Sequence, residues 1–62
     1  MNFDRIDRQI LSLLQEDGRM TNVDLAERVG LTAPPCLRRV RALEEAGAIR
    51  GYHATLDPVT LG

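Results

Sequence analysis

Arg38, Arg39 and Arg41 stand within four positions of one another, in a 62-residue chain that has no lysine and a formal net charge of −1. A guanidinium offers a planar donor fork that suits the O6 and N7 acceptors of guanine, and its fixed charge suits phosphate. Just ahead of the cluster lie Thr32, Ala33, Pro34 and Pro35. The prolines have no backbone N–H, but they present a rigid apolar surface that can meet a thymine methyl. The other reactive side chains are Cys36 and His53. One cysteine cannot close an internal disulfide, and with one histidine it cannot supply the four ligands of an ordinary zinc site. Nor can a nucleophile, base and orienting group be drawn from these two and the scattered carboxylates. No enzyme activity, metal or cofactor is expected of these residues.

Such arginines act only if a scaffold presents them, and the sequence supplies three helical segments. The first runs from about Asp4 to Glu16. On a wheel of about 100° per residue, Phe3, Ile6, Ile10, Leu13 and Leu14 share a side, with Leu11 on the flank. Asp4 is placed to cap it, Asp7 adds negative charge near its positive end, and Gly18 suits a left-handed stop. The second opens on Thr21-Asn22-Val23-Asp24, which has capping-box spacing with Asp in place of Glu. Val23, Leu25, Ala26 and Val29 point inward, Asp24, Glu27 and Arg28 face water, and Gly30 ends the helix. Leu31 follows as an apolar plug and Thr32 caps a third helix over about 33–46, with the prolines in its tolerant first turn. Cys36, Leu37, Val40 and Leu43 form its core arc. Arg38 sits near the centre of the opposite arc, flanked by Arg39 and Arg41, and Gly47 terminates the helix.

After Gly47 the helical period is lost. Residues 48–56 read as one extended strand, or as two short strands bent near Gly51. Asp57-Pro58 breaks that segment, and the last four residues add no closing element. The hydrophobic share of 44% and charged share of 27% fit a globular domain rather than a disordered tail. A chain of this size buries only about 60% of its unfolded surface, so a cleft between two subdomains is excluded. Aromatics make up 3%, Phe3 and Tyr52 alone, so the core is aliphatic and base-stacking on rings is disfavoured. No apolar run approaches the roughly 20 residues that span a bilayer. A reducing cytoplasm is the expected location, with the nucleoid as its site of action when bound to DNA.

Two short capped helices joined through Gly30-Leu31-Thr32 make a helix-turn-helix pattern. In DNA-binding versions the second helix of the pair lies in the major groove, with its N-terminal residues at the base edges. Residues 1–56 are thus expected to form a mainly α, three-helix unit with a C-terminal strand or wing. The run Asp4-Arg5-Ile6-Asp7, then Leu25-Ala26-Glu27-Arg28-Val29-Gly30-Leu31-Thr32 and Pro35-Cys36-Leu37-Arg38-Arg39-Val40, resembles one known family. So do Asp17-Gly18-Arg19, Gly47, Gly51-Tyr52 and Asp57-Pro58. The chain is similar along essentially its whole length to the N-terminal domain of the Lrp/AsnC (feast/famine, leucine-responsive) transcription regulators. That resemblance implies a winged-helix-type domain that works as a dimer on partly symmetric duplex sites. It also implies a second domain, an αβ sandwich that binds amino acids or related effectors. Residues 57–62 stand where the connection to it would begin, so no small-molecule effector is expected within this chain, which reads as a fragment or a naturally short regulator. Ala33 stands where some relatives have proline, which leaves base preference open.

The expected contact residues are Thr32, Ala33, Pro34, Pro35, Arg38, Arg39, Arg41 and Arg50. Arg38 is assigned to a base edge, Arg39 and Arg41 to flanking phosphates, and Arg50 to a phosphate reached from the strand. The competing reading gives the arginines to a solvated face, pairing with Glu45 and other acids at helix spacing. Arg5 and Arg8 belong to the surface of the first helix, Cys36 to the core, His53 to an exposed strand position, and Tyr52 to strand packing or a dimer contact. A different function, also open, is a protein-interaction module, or a short regulator that forms mixed dimers with full-length relatives through its strand.

Overall fold

Asp4 opens the first helix by a reciprocal pair of hydrogen bonds. In the computed structural model, which describes residues 2–62, the Asp7 N–H donates to Asp4 Oδ1 at 2.8 Å and the Asp4 N–H donates to Asp7 Oδ2 at 3.3 Å. Two of the first-turn donors that lack intrahelical partners are thereby satisfied. Helix α1 spans Arg5–Glu16. It does not end on a left-handed glycine as the sequence suggests. Asp17 closes it with extended backbone at φ −144°, and its carboxylate accepts the Arg19 N–H at 3.0 Å. Gly18 serves a different purpose: a Cβ there would lie 3.5 Å from the Tyr52 ring, so the ring rests directly on this turn.

Helix α2, Asn22–Val29, starts where Thr21 Oγ1 accepts the Asp24 N–H at 3.1 Å. It ends at Gly30, whose φ of 74° belongs to the left-handed region that only glycine enters freely. That conformation lets the Leu31 N–H reach the Ala26 carbonyl at 2.9 Å and swings the chain into the third helix. Helix α3 covers Ala33–Glu45 with Thr32 at its N-cap. The expected Thr32 side-chain cap is absent, for a covalent reason. A capping hydroxyl accepts from the second or third residue of the helix, and those are Pro34 and Pro35, which have no N–H to give. The Asn22 amide ties the two helices together from the other side, donating through Nδ2 to the Ala33 carbonyl at 2.8 Å.

Ile10 from α1, Leu25, Ala26 and Val29 from α2, and Cys36 and Leu43 from α3 make the buried centre. Ile6, Leu11, Leu13, Leu14, Met20, Leu31, Val40 and Ile49 pack around it. Ile10 and Leu43 have no exposed surface, and full burial of each such side chain contributes about 1.5–3 kcal/mol. Val23 departs from the expected inward arc and is 64% exposed, because the face of α2 that carries Leu25, Ala26 and Val29 already fills the contact with α1 and α3. Leu37 is only half-buried, at the rim of α3.

Gly47, at φ 82°, turns the chain after α3, and the Ala48 and Ile49 N–H groups both donate to the Leu43 carbonyl. Beyond it the expected strand does not form: among the described residues there is no strand, and residues 50–56 are exposed. A strand exists only by pairing with another, and the other described residues supply no second strand for it. Where no closing element was expected, a short helix α4 forms over Pro58–Leu61. Asp57 organises it, accepting the Val59 N–H at 3.0 Å and the Thr60 hydroxyl at 2.6 Å. These two bonds hold the Asp57 carboxyl below its ordinary range, the Thr60 hydroxyl being the larger cause.

Candidate nucleic-acid interface

Helix α3 divides its arginines between two directions. Pro34, Arg38, Arg41 and Glu45 follow one another at helical spacing, i, i+4, i+7 and i+11, and all four are exposed. Arg38 and Arg41 therefore share an outward stripe that begins at the N-terminal turn, where Thr32 is exposed as well. Ala33 and Pro35 are half-buried beside them, Ala33 through its contact with Asn22. Among the described residues, the ion pairs are those of Arg39 alone. The competing expectation of a face neutralised by Glu45 is therefore not what α3 shows at Arg38 and Arg41.

Arg39 takes the other direction. Its Nη1 lies 2.8 and 2.7 Å from the two carboxylate oxygens of Asp4 and 3.1 Å from Asp7 Oδ1. The side chain is only 32% exposed, and that of Asp7 is 8% exposed. This guanidinium faces the N-terminus of α1 and joins it to the middle of α3. The acids that hold it are not at helix spacing but more than thirty residues away in sequence. Asp4 is held below the usual carboxylate range, first by the Asp7 N–H and then by Arg39. Arg39 is in turn held more firmly protonated, by Asp4 first and Asp7 second.

Arg50 is exposed on the segment after α3, lining a shallow cleft with Leu11, Leu14 and Gln15 of α1. Tyr52 anchors that segment: its hydroxyl donates to Glu44 Oε2 at 2.9 Å while its ring covers Gly18. Partial burial and the Glu44 carboxylate raise the Tyr52 hydroxyl above its ordinary value, burial being the larger cause. Cys36 is fully buried, and burial pushes its thiol up against the opposing pull of Arg39, so it behaves as a small core residue. His53 is exposed. No three His, Cys, Asp or Glu side chains among the described residues come together in a way that would hold a metal ion, and no helix of theirs is long and apolar enough to cross a membrane.

Three contributors escape a reading of the sequence. Asn22 looks like a helix-start residue but braces the turn between α2 and α3. Asp4 and Asp7 look like caps, which they are, and that local role conceals their hold on Arg39. The helix pair and its braced turn have the form of a helix-turn-helix, and comparison with known sequences agrees. Residues 3–50 match the family described as winged helix-turn-helix DNA-binding, and the chain belongs to that family.

Within it the chain resembles the N-terminal part of Lrp/AsnC regulators. It is 66% identical over 62 residues to the leucine-responsive regulatory protein of Rhizobium meliloti, covering 100% of this chain and 40% of that one. The protein of the same name from Escherichia coli strain K12 is 60% identical over 57 residues, covering 92% of this chain and 35% of its own. Among solved structures, a transcriptional regulator of Neisseria meningitidis in complex with L-Met superposes with a TM-score of 0.93 at 52% identity, over 97% of this chain and 39% of the other. An AsnC family transcriptional regulator from Agrobacterium tumefaciens gives 0.89 at 51% identity, over 95% and 39%. The chain thus spans about two-fifths of the length of these relatives, each of which is named as a regulator.

Proposed function

We propose that the chain binds double-stranded DNA with sequence preference, as the reading module of a transcription regulator, and that it is not an enzyme. In this reading α3 lies in the major groove. Thr32, Ala33, Pro34 and Pro35 enter at the base edges, Arg38 meets a base, and Arg41 and Arg50 meet phosphates. The observation that carries it is the outward, unpaired stripe of Arg38 and Arg41, set against an Arg39 that is already occupied. Arg39 then acts indirectly, by holding α3 against α1. Membership of the winged helix-turn-helix family supports the same assignment.

Dimerisation belongs to the proposal too. The unpaired backbone of residues 50–56 and the exposed Leu56, Val59 and Leu61, at 67%, 87% and 69%, favour pairing with a second copy or with a longer relative. The wing of the fold would be completed by that pairing. Residues 57–62 then act as the start of a connection, and the module works in the cytoplasm, at the nucleoid.

The test is a gel shift with the 62-residue chain on random and symmetric duplexes at two salt concentrations. Binding that favours particular sequences and weakens with salt is expected, with Arg38→Ala relaxing the preference. If Arg38→Ala leaves affinity and preference as they were, α3 is not the reading helix. If partner capture persists without any duplex binding, the module is a protein-interaction unit.

A further inference from the structure

We infer that the first turn of α3 reads thymine through its 5-methyl group, with Pro34 as the contacting side chain and Arg38 fixing a guanine about two base steps away. This rests on the proposed placement of α3 in the major groove and adds what that placement selects. It follows from counting donors. Ala33, Pro34, Pro35 and Cys36 occupy the first turn; the prolines have no N–H, and the Cys36 N–H is taken by the Thr32 carbonyl at 3.3 Å. Only the Ala33 amide is left, so the turn lacks the row of N–H groups by which a helix start ordinarily holds a phosphate.

What the turn offers instead is apolar. Pro34 is exposed while Pro35 is half-buried, so one pyrrolidine ring faces the solvent with no polar atom to satisfy. In the major groove thymine presents a methyl group at C5, where cytosine has only a hydrogen and carries an amino donor on the neighbouring C4. A pyrrolidine ring gains by covering the methyl and strands the amino donor without an acceptor. Arg38 stands one turn further on the same face, about 6 Å along the axis at a rise of about 1.5 Å per residue. That is close to two steps of about 3.4 Å along a strand, so a methyl contact at Pro34 and a guanine contact at Arg38 are compatible in a single docking. The Thr32 hydroxyl, exposed and relieved of any capping duty, adds a donor beside the ring without displacing it.

The experiment begins by selecting a duplex from a random pool with the 62-residue chain. Each thymine of the selected duplex is then replaced in turn by deoxyuridine, and binding is followed by fluorescence anisotropy. At one thymine, about two steps from the guanine whose loss mimics Arg38→Ala, removal of the methyl is expected to weaken binding about fourfold, the effect of one buried methyl-sized group. In Pro34→Gly, and in Pro34→Ser as a second variant that makes the helix start polar while leaving it able to fold, the thymine and deoxyuridine duplexes are expected to bind alike. A prolyl ring that only starts the helix would leave wild-type binding blind to the methyl. Sequence preference without methyl sensitivity therefore overturns this inference and leaves the proposed function standing. Methyl sensitivity that survives in both Pro34 variants also overturns it, and a pool that yields no preferred duplex overturns both.

Discussion

Arg39 has Arg38 at its side and Arg41 two places beyond, yet its chemistry is the reverse of theirs. Each full helical step is about 100°, so Arg38 and Arg41 point outward while Arg39 meets α1, where Asp4 and Asp7 close on one nitrogen. Arg39→Met removes the cation and leaves the buried Asp7 carboxylate without its partner. A stranded buried polar group costs about 1–3 kcal/mol and a charged one more; the loss stays within that range here because Asp7 keeps the Asp4 N–H and the Arg39 side chain is partly solvated. For a domain of this size that is a fall in Tm of about 4–8 °C per kcal/mol, read by circular dichroism. Arg38→Met, measured alongside, is expected to leave Tm unchanged. Acid should reveal the bonds that hold Asp4, the Asp7 N–H first and Arg39 second. Asp4 is lowered from 3.8 in the folded chain, so folding favours its ionised form. The stability it adds is complete above that ordinary value and is lost as pH falls through the lower folded one. A series of melts between about pH 5 and pH 2 should show Tm falling more steeply for the wild type than for Asp4→Asn; parallel curves would mean that neither the Asp7 N–H nor Arg39 holds the Asp4 carboxylate in the folded chain.

At the scale of elements, the helix ends sort into those whose chemistry is local and those decided by distant neighbours. Asp4, Thr21 and Gly30 act within four residues of themselves, and their roles are legible in the sequence. So is the aliphatic face that becomes Ile10, Leu25, Val29 and Leu43. The failed cap at Thr32 was equally legible, because Pro34 and Pro35 announce the missing donors; hydroxyl spacing alone conceals it. Thr21→Ala should therefore cost about 1 kcal/mol, whereas Thr32→Ala should stay within about 0.5 kcal/mol of wild type in urea unfolding. An equal cost at both would mean that Thr32 has a partner after all. The glycines divide similarly. Gly30→Ala and Gly47→Ala force alanine into left-handed backbone and should cost about 1–2 kcal/mol each. At Gly18 a Cβ meets Tyr52 at an ordinary contact distance of 3.5 Å and φ is not positive, so Gly18→Ala should be neutral or stabilise by about 0.4–1 kcal/mol. What stayed illegible was long-range: Arg39 meets acids 35 and 32 residues away, Tyr52 crosses to the end of α1, and residues 48–56 form no strand because the described residues offer no partner for one.

For the molecule as a whole, net charge is a poor guide to how it would meet a polyanion. The chain carries −1 overall, but the charges do not act as one sum. Asp4 and Asp7 spend their field on Arg39, while Arg38, Arg41 and Arg50 are exposed and take part in no ion pair among the described residues. Docking through the proposed face brings three of the seven arginines left unpaired among the described residues, Arg38, Arg41 and Arg50, to the duplex, and those three bound the salt dependence of that face. With a log–log slope of about −0.9 per neutralised phosphate, one docked copy should give no steeper than about −2.7. Two copies on adjacent half-sites would give about twice that value. The slope thus separates a lone module from a paired one, where affinity alone would not. It also separates the arginines. Arg41→Ala should flatten the slope by about 0.9 and weaken all sequences alike. Arg39→Met, held well below its melting temperature, should leave the slope where it was, because that charge is neutralised before any duplex arrives. Anisotropy titrations of the two variants across a range of KCl concentrations make the comparison. Should Arg39→Met flatten the slope as much as Arg41→Ala, the acids of α1 surrender their arginine to the phosphate on binding, and the clamp between α1 and α3 is one that DNA opens.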